Sequence, residues 1–333
     1  MTGGSERTGA SVVSDGKNID ETGIQDIKKS LSRTLPCYNH DQYINYPSRV
    51  RSGWVTYALA RIDNMLTDPE YLVFEKSGNL LCCRVSRWDT EHFGFGMAMI
   101  SLPLTQTDDC MIVAKLLKKC LRELRAMGVR FASARISGDD SESIHAFEQA
   151  GFRYYETIIW PVLRLDGSDG VCSTDIRLMI EDDLERVIDI ASRHQFKRSH
   201  YHADRGFDPK KVDEMHAKWI RTSWQNREPV AVIERESRVA GYFAFRMDNA
   251  LSSALGYKYA RMRSLTLDPI FRGTGLGKRL FGGTISLMRG MGAEMVDSGY
   301  ASKNHKSARL HVQRGFESVH EEVTLHLWLG AGK

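Results

Sequence analysis

No apolar run in this chain approaches the ~18 residues of a membrane-spanning helix, and no charged-then-apolar pattern opens it. A soluble protein with no membrane partner is expected. Paired cysteines are lacking as well: the six, at 37, 82, 83, 110, 120 and 172, form no C-x-x-C pair, and Cys82 and Cys83 are neighbours that a bridge would close into a strained ring. A reduced, cytoplasmic setting fits this usage. Charge of one sign is missing too, since 46 basic against 42 acidic residues leave 46 − 42 = +4, too little to imply nucleic acid as a partner. Aromatics are almost absent from residues 1–35, which are rich in Gly, Ser, Thr, Asp and Lys. Such a segment cannot bury enough surface to offset its ordering entropy, so a disordered tail is expected there.

What is present suffices for two cores, because 333 residues are long for one domain and comfortable for two. Periodicity predicts a helix over Val50–Met65 and strands at Tyr71–Phe74 and Leu80–Val85 about a Lys76–Asn79 turn. A strand at Met97–Leu102, a helix over Met111–Met127, a strand at Phe131–Ile136, a helix over Ser141–Ala150 and a strand at Tyr155–Leu165 follow. The polar stretch 166–170 reads as a linker. Beyond it the predicted order is β-α-α-β-β-β-α-β-α-β, ending in a helix over Asn304–Arg314 and a strand at Val319–Leu329.

The two halves repeat each other. Gly292 − Gly128 = 164 and Gly315 − Gly151 = 164, and at this offset Phe152 meets Phe316. An internal duplication is expected, with domains at 36–166 and 174–333.

The most informative stretch is Leu265-Thr266-Leu267 followed by Arg272-Gly273-Thr274-Gly275-Leu276-Gly277-Lys278, a strand, a glycine-rich turn and a helix start. Glycines there permit positive φ and remove Cβ atoms from a ligand's path, and the helix start aims unpaired N–H groups outward, an arrangement that suits an anion. A tight strand-to-helix turn alone would also use such glycines. A Walker loop is excluded because Gly273 to Gly277 encloses three residues rather than four and Arg279 follows Lys278. A dinucleotide fingerprint fails because position 278, where its third glycine belongs, is Lys. In the first copy the offset places Asp108 and Asp109 where the cradle begins, and two acids there would repel a pyrophosphate. One cofactor per chain is therefore expected, with the first copy degenerate and serving as structure or as one wall of the acceptor cleft.

The pattern Arg272-x-x-Gly275-x-Gly277 resembles the acyl-CoA pyrophosphate loop of the GCN5-related N-acetyltransferases (GNAT). Asn304-x-x-Ser307-x-x-x-His311-x-x-x-Gly315-Phe316 resembles that family's second signature, with Ser for its Ala and His for its Tyr. The resemblance implies an α/β fold of two tandem copies, each a mixed, mostly antiparallel sheet flanked by helices. It also implies acetyl-CoA held by Leu265, Thr266, Leu267, Arg272, Gly273, Thr274, Gly275, Leu276, Gly277, Lys278, Asn304 and Ser307. In the family the strand 265–267 splays from its neighbour, here 296–298, and its backbone polarises the thioester. The Tyr position implies proton donation to the leaving thiolate by His311, although a histidine that only packs against the cofactor is the other reading.

The two-copy layout, with Trp88-Asp89-x-Glu91-x-Phe93-Gly94-Phe95 in the first half and Tyr201-x-x-Asp204 in the second, looks like the dTDP-fucosamine acetyltransferase group. That implies the amino group of a nucleotide-linked dideoxy sugar as acceptor, with Lys258, Arg261 and Arg263 suited to its diphosphate. His202 or Asp204 is then the candidate general base. His200-x-His202-x-Asp204 lacks a fourth ligand, so no metal is expected. A polyamine, a peptide or another small amine as acceptor, and a non-catalytic acyl-CoA sensor, stay open, as does the choice of monomer or homodimer.

Overall fold

The computed structural model describes residues 11–14, 17–18, 48–104, 110–165, 175–194 and 199–330. Within the tail expected to be disordered, the strands β1 (Ser11–Ser14) and β2 (Lys17–Asn18) are described, and the rest lies outside the described residues. Helix α1 (Ser48–Thr67) leads to the hairpin β3 (Tyr71–Lys76) and β4 (Asn79–Val85). Positive φ at Ser77 (51°) and Gly78 (78°) makes the two-residue turn whose twist matches paired strands. The edge of β3 explains the departure in the tail: it is a backbone template, and β1 runs parallel to it from Ser11↔Leu72 to Ser14↔Glu75.

Next come α2 (Arg87–Phe93), β5 (Gly96–Leu104), α3 (Cys110–Ala126), β6 (Val129–Ser137), α4 (Ser141–Gln149) and β7 (Arg153–Arg164). In α3, Val113, Leu116, Leu117, Cys120, Leu121 and Leu124 are buried at helical spacing. The second copy runs β8 (Ile176–Leu178), a 3-10 turn (Glu181–Asp183), α5 (Leu184–His194), α6 (His200–Ala203), α7 (Pro209–Gln225), β9 (Val230–Arg235) and β10 (Arg238–Met247). It continues through α8 (Asn249–Leu255), β11 (Tyr259–Leu267), a 3-10 turn (Pro269–Phe271), α9 (Leu276–Gly290), β12 (Met295–Asp297), β13 (Tyr300–Ala301), α10 (His305–Gln313) and β14 (Glu317–Trp328). The 164-residue offset carries α4 onto α10 (141 + 164 = 305, 149 + 164 = 313) and β7 onto β14 (153 + 164 = 317, 164 + 164 = 328).

Two compact units result, one of residues up to Thr157 together with those from Glu321 onward, the other Ile158–His320. In the first, β3, β4, β5 and β6 are joined by β14, which pairs antiparallel to β6 from Glu322↔Ser137 to Trp328↔Phe131. One sheet face packs Leu81, Ala98, Ile100, Ala132, Ala134 and Leu325 against α3 and α4, and the other packs Val73, Leu80 and Cys82 against Ile62, Met65 and Leu66 of α1. In the second unit the order is β8, β9, β10, β11, β12, with β7 closing the edge through Val162↔Asp297 and Ile159↔Tyr300. Helix α9 covers one face, while α5 and α7 cover the other through Val187, Ile190, Ala191 and Ile220.

Each unit therefore takes in the last strand of the other copy. The boundaries 36–166 and 174–333 read from the sequence cut across this exchange. The fold is mixed α/β, as expected, with sheets flanked by helices. No helix among the described residues is long and apolar enough to cross a membrane. Cys82, Cys83, Cys110 and Cys120 are free thiols, and Cys37 and Cys172 lie outside the described residues.

Candidate active site

The site begins where two parallel strands part. Strand β11 pairs with β12 only from Tyr259↔Met295 to Arg261↔Asp297, while on its other side it follows β10 to Gly241↔Leu267. A register shift sets Phe245 opposite Met262 and Ala244 opposite Ser264, so Arg263 is the extra residue of a bulge. The buried Tyr242 hydroxyl bonds to the side chains of Ser264 and Thr266 and braces the bent strand. No strand among the described residues pairs with the far edge of Met262–Leu267. Unpaired backbone along a half-buried edge is a template for an extended ligand. In the first copy the corresponding strands stay joined from Gly96↔Val129 to Ser101↔Arg135, leaving no such opening over that length.

The open edge runs into the cradle. Gly273 (φ 82°) and Gly275 (φ 84°) are both left-handed, and a Cβ built on either meets nothing within 4 Å. Both lie in the left-handed region that favours glycine, the conformation the sequence led one to expect there. Gly275 caps α9 without any side-chain bond, and the earliest helical bonds come from the N–H groups of Lys278 and Arg279 to its carbonyl. The N–H groups preceding them face outward at the positive end of the helix dipole. Arg272 donates Nε to the Leu267 carbonyl at 3.3 Å, and Thr274 donates its hydroxyl to the Phe271 carbonyl at 2.7 Å. Lys278 is exposed at the rim, whereas Arg279 is taken up by Asp175. The loop is anchored from α5 by Arg186, which contacts Asp268 and donates to Asp189 at 2.9 Å and to the Val239 carbonyl at 3.3 Å.

The second signature forms α10. Asn304 caps it, accepting from the Ser307 N–H at 3.2 Å, a contact worth about 1 kcal/mol. His311 is 2% exposed between Phe281, Tyr300 and Phe316, with ring centroids at 4.9, 4.8 and 4.8 Å. Its Nδ1 lies 2.8 Å from the Ser307 carbonyl oxygen, and its Nε2 is buried without a hydrogen-bond partner. Burial holds the imidazole below its ordinary pKa, partly offset by the bond to Ser307. This arrangement departs from the proton donor implied by the motif position: a carbonyl can only accept, so the ring proton sits on Nδ1 and Nε2 is bare.

Where the strands part lies a charge cluster that sequence reasoning missed in part. Arg261 donates Nε to Asp297 at 3.2 Å, its Nη2 lies 2.8 Å from the same carboxylate, and it reaches Asp248 at 3.5 Å. Arg246 also meets Asp248, at 3.2 Å. Burial pushes the Asp297 carboxyl up to about 6 against the pull of Arg261. Arg263, in turn, bonds Glu228 at 3.1 and 3.2 Å. The guanidiniums expected to meet a sugar diphosphate thus each hold a carboxylate of this chain. An aspartate inside the apolar run Met295-Val296-Asp297 was the available signal for the cluster.

The acceptor candidates on α6 are engaged locally. His202 lies 2.9 Å from the Ser199 hydroxyl through Nδ1 and 3.1 Å from Asp213 through Nε2. Asp204 is buried and accepts from the Gly206 N–H at 2.9 Å. No group of three or more His, Cys, Asp or Glu able to hold a metal occurs among the described residues. In the first copy, the Trp88–Phe95 motif makes α2, capped by Ser86, whose hydroxyl donates to Asp89 at 2.6 Å and accepts from its N–H at 3.4 Å. Asp108 and Asp109 lie outside the described residues.

Comparison with known proteins bears on this geometry. Residues 193–316 match the Acetyltransferase (GNAT) family model. Over 88 residues, 26% of this chain, the sequence is 34% identical to an L-methionine sulfoximine/L-methionine sulfone acetyltransferase of Salmonella typhimurium, and the match spans half of that protein's length. Among solved structures, a GCN5-related N-acetyltransferase from Sphaerobacter thermophilus is similar over 91% of this chain and 95% of its own, with TM-score 0.57 and 13% identity. A tandem GNAT protein from the clavulanic acid biosynthesis pathway is similar over 93% and 97%, with TM-score 0.51 and 14% identity. At such identities the likeness is one of fold, and that fold is the tandem acetyltransferase arrangement.

Proposed function

Starting from a chain whose second copy matches the GNAT family and whose fold is shared with a tandem GNAT protein, we propose that it is an acetyl-CoA-dependent N-acetyltransferase for a small primary amine. The observation that carries this is the open edge of β11 leading into a left-handed glycine cradle. Acetyl-CoA fits these residues as the acyl donor. Outward N–H groups over 273–277, with Lys278 and Arg272, bind its pyrophosphate. Leu265, Thr266 and Leu267 offer backbone to the pantetheine arm, and an N–H on this strand polarises the thioester carbonyl. Asn304 and Ser307 act through α10, fixing its first turn beside the arm. Holding amine and carbonyl in near-attack geometry supplies much of the remaining barrier reduction.

One cofactor per chain follows from the first copy, whose β5 and β6 stay paired where β11 and β12 part. The finer reading, an amino sugar carried on a nucleotide, rests on the two-copy layout and the Trp88–Phe95 motif. Neutralisation of Arg261 and Arg263 within the chain argues instead for an amine that brings no diphosphate. Transfer from acetyl-CoA to a panel of amino acids, polyamines, peptides and nucleotide-linked amino sugars, read by product mass, tests the reading. Acetylation of a small amine is expected. Exclusive acetylation of the sugar nucleotides would restore the finer reading, and no product with any amine would remove the enzyme.

A further inference from the structure

Acyl transfer along β11 needs a backbone N–H held at a fixed angle to the thioester, and the bonds around the strand identify which one faces the slot. Asp268 donates its N–H to the Ala240 carbonyl at 2.9 Å. Backbone groups in an antiparallel pair face the partner at alternate residues. Thr266 and Ser264, opposite Tyr242 and Ala244, therefore turn theirs to β10, and Leu267 and Leu265 turn theirs to the open edge. Arg272 agrees with this direction, since its Nε reaches the Leu267 carbonyl at 3.3 Å from outside the β10 pair. Of the three residues beside the pantetheine arm, Leu265 and Leu267 thus face it. Leu267 adjoins the cradle, and Leu265 lies about 7 Å farther in, next to the bulge at Arg263.

The two residues that flank Leu265 carry hydroxyls, and one phenol takes both. Tyr242, fully buried on β10, hydrogen-bonds through its hydroxyl to the side chains of Ser264 and Thr266. The Leu265 N–H belongs to the peptide shared with Ser264 and its carbonyl to the peptide shared with Thr266, so the clasp straddles both. Side-chain alternation sets the three hydroxyls on the face where Tyr242 packs with Val187 and Ile190, while Leu265 packs on the opposite face, beneath α9. We infer that Tyr242 is a positioning residue for acyl transfer: by holding Ser264 and Thr266 together it fixes the Leu265 N–H as the hydrogen-bond donor to the thioester carbonyl. This rests on the acetyl-transfer reading and names the donor that reading requires.

A bulged edge is where such a clasp is needed. The extra residue bends the strand and disrupts its ladder, and no strand among the described residues steadies the peptides of Met262–Leu267 from the far side. A backbone donor stabilises negative charge developing on oxygen only if it is aimed before the reaction begins, and misplacement by about 1 Å costs up to about a hundredfold in rate. A phenol has one O–H to donate and an oxygen that accepts, enough to bond both hydroxyls at once. Burial pushes its pKa up, so the O–H is kept across neutral pH. Tyr242 acts on the reaction only through the strand.

The first part of the test needs no acceptor. With acetyl-CoA labelled by carbon-13 at the acetyl carbonyl, infrared difference spectra of the wild-type complex are expected to show the thioester band at lower frequency than in free acetyl-CoA. Tyr242→Phe, which removes only the hydroxyl, is expected to lose much of that shift. In the assay it should lower kcat about tenfold while the acetyl-CoA dissociation constant in calorimetry stays within about twofold. Ser264→Ala should lose part of the same shift and rate, and added to Tyr242→Phe it should cost little more, because the clasp is already open. Should Tyr242→Phe fail to fold, Ser264→Ala and Thr266→Val carry the same two readouts. A band and kcat left in place, affinity lost in parallel with rate, or additive losses in the double variant each overturns the positioning role while acetyl transfer stands. A wild-type protein that binds acetyl-CoA with no band shift and acetylates nothing overturns acetyl transfer, and the role of the clasp with it.

Discussion

Arg261 and Asp297 are the last facing residues of β11 and β12, joined through Nη2 at 2.8 Å, and past them the strands separate. The slot thus opens immediately beyond an ion pair whose carboxylate is 6% exposed. Such a pair holds two strands in register while resisting further pairing, because the charges must keep each other's company.

Asp297 should make stability depend on pH. Its native pKa of about 6 lies above the ordinary 3.8, so between these values the folded chain holds a proton that the unfolded chain has lost. Its contribution is therefore full below the unfolded pKa and disappears as pH rises through about 6, on the order of 3 kcal/mol in all. Urea denaturation at pH 4.5 and 7.0 should show this slope in the wild type and its loss in Asp297→Asn. Equal slopes would remove the assignment.

Gly275→Asp separates binding from folding. Aspartate tolerates the left-handed conformation better than most residues, so the melting temperature should move by only a few degrees. A carboxylate against pyrophosphate should weaken acetyl-CoA binding about a hundredfold or more in calorimetry. Unchanged affinity would place the pyrophosphate elsewhere.

Arg186→Met should raise KM for acetyl-CoA about tenfold with kcat nearly kept. The guanidinium holds Asp268, whose own N–H bonds the Ala240 carbonyl at 2.9 Å and whose carboxylate caps the turn into the cradle. Arg186→Lys should recover part of the loss. A fall in kcat with KM unmoved would contradict a role confined to the cradle.

Division of the chain at the 166–174 linker should fail. A fragment ending at 166 lacks β14, leaving β6 with a bare edge, and one starting at 174 lacks β7, baring β12. Each alone should aggregate, and coexpression should recover a soluble complex. Monomeric, cooperatively folding separate halves would show the exchange to be dispensable.

Much of this architecture was legible. The glycine landmarks 164 residues apart led to the duplication, and the helix at Asn304 and the strand entering the cradle were readable from capping and periodicity. The exchange of β7 and β14 was not, because equivalent strands carry equivalent patterns and nothing local says which partner a strand will seal. Helix α8 escaped notice because seven residues rich in Ser and Ala have little periodicity, and its N-cap Asp248 reads as a turn residue. The tautomer of His311 is set by a backbone carbonyl one turn earlier, which no side-chain pattern encodes.

The strand exchange also has a consequence for synthesis. Strand β6 leaves the ribosome with its partner, β14, still to be made, 328 − 137 = 191 residues later. At ribosomal speeds that is roughly 10 to 40 seconds. During this interval the first sheet is a nascent structure with an exposed margin, completed only once β14 has been made.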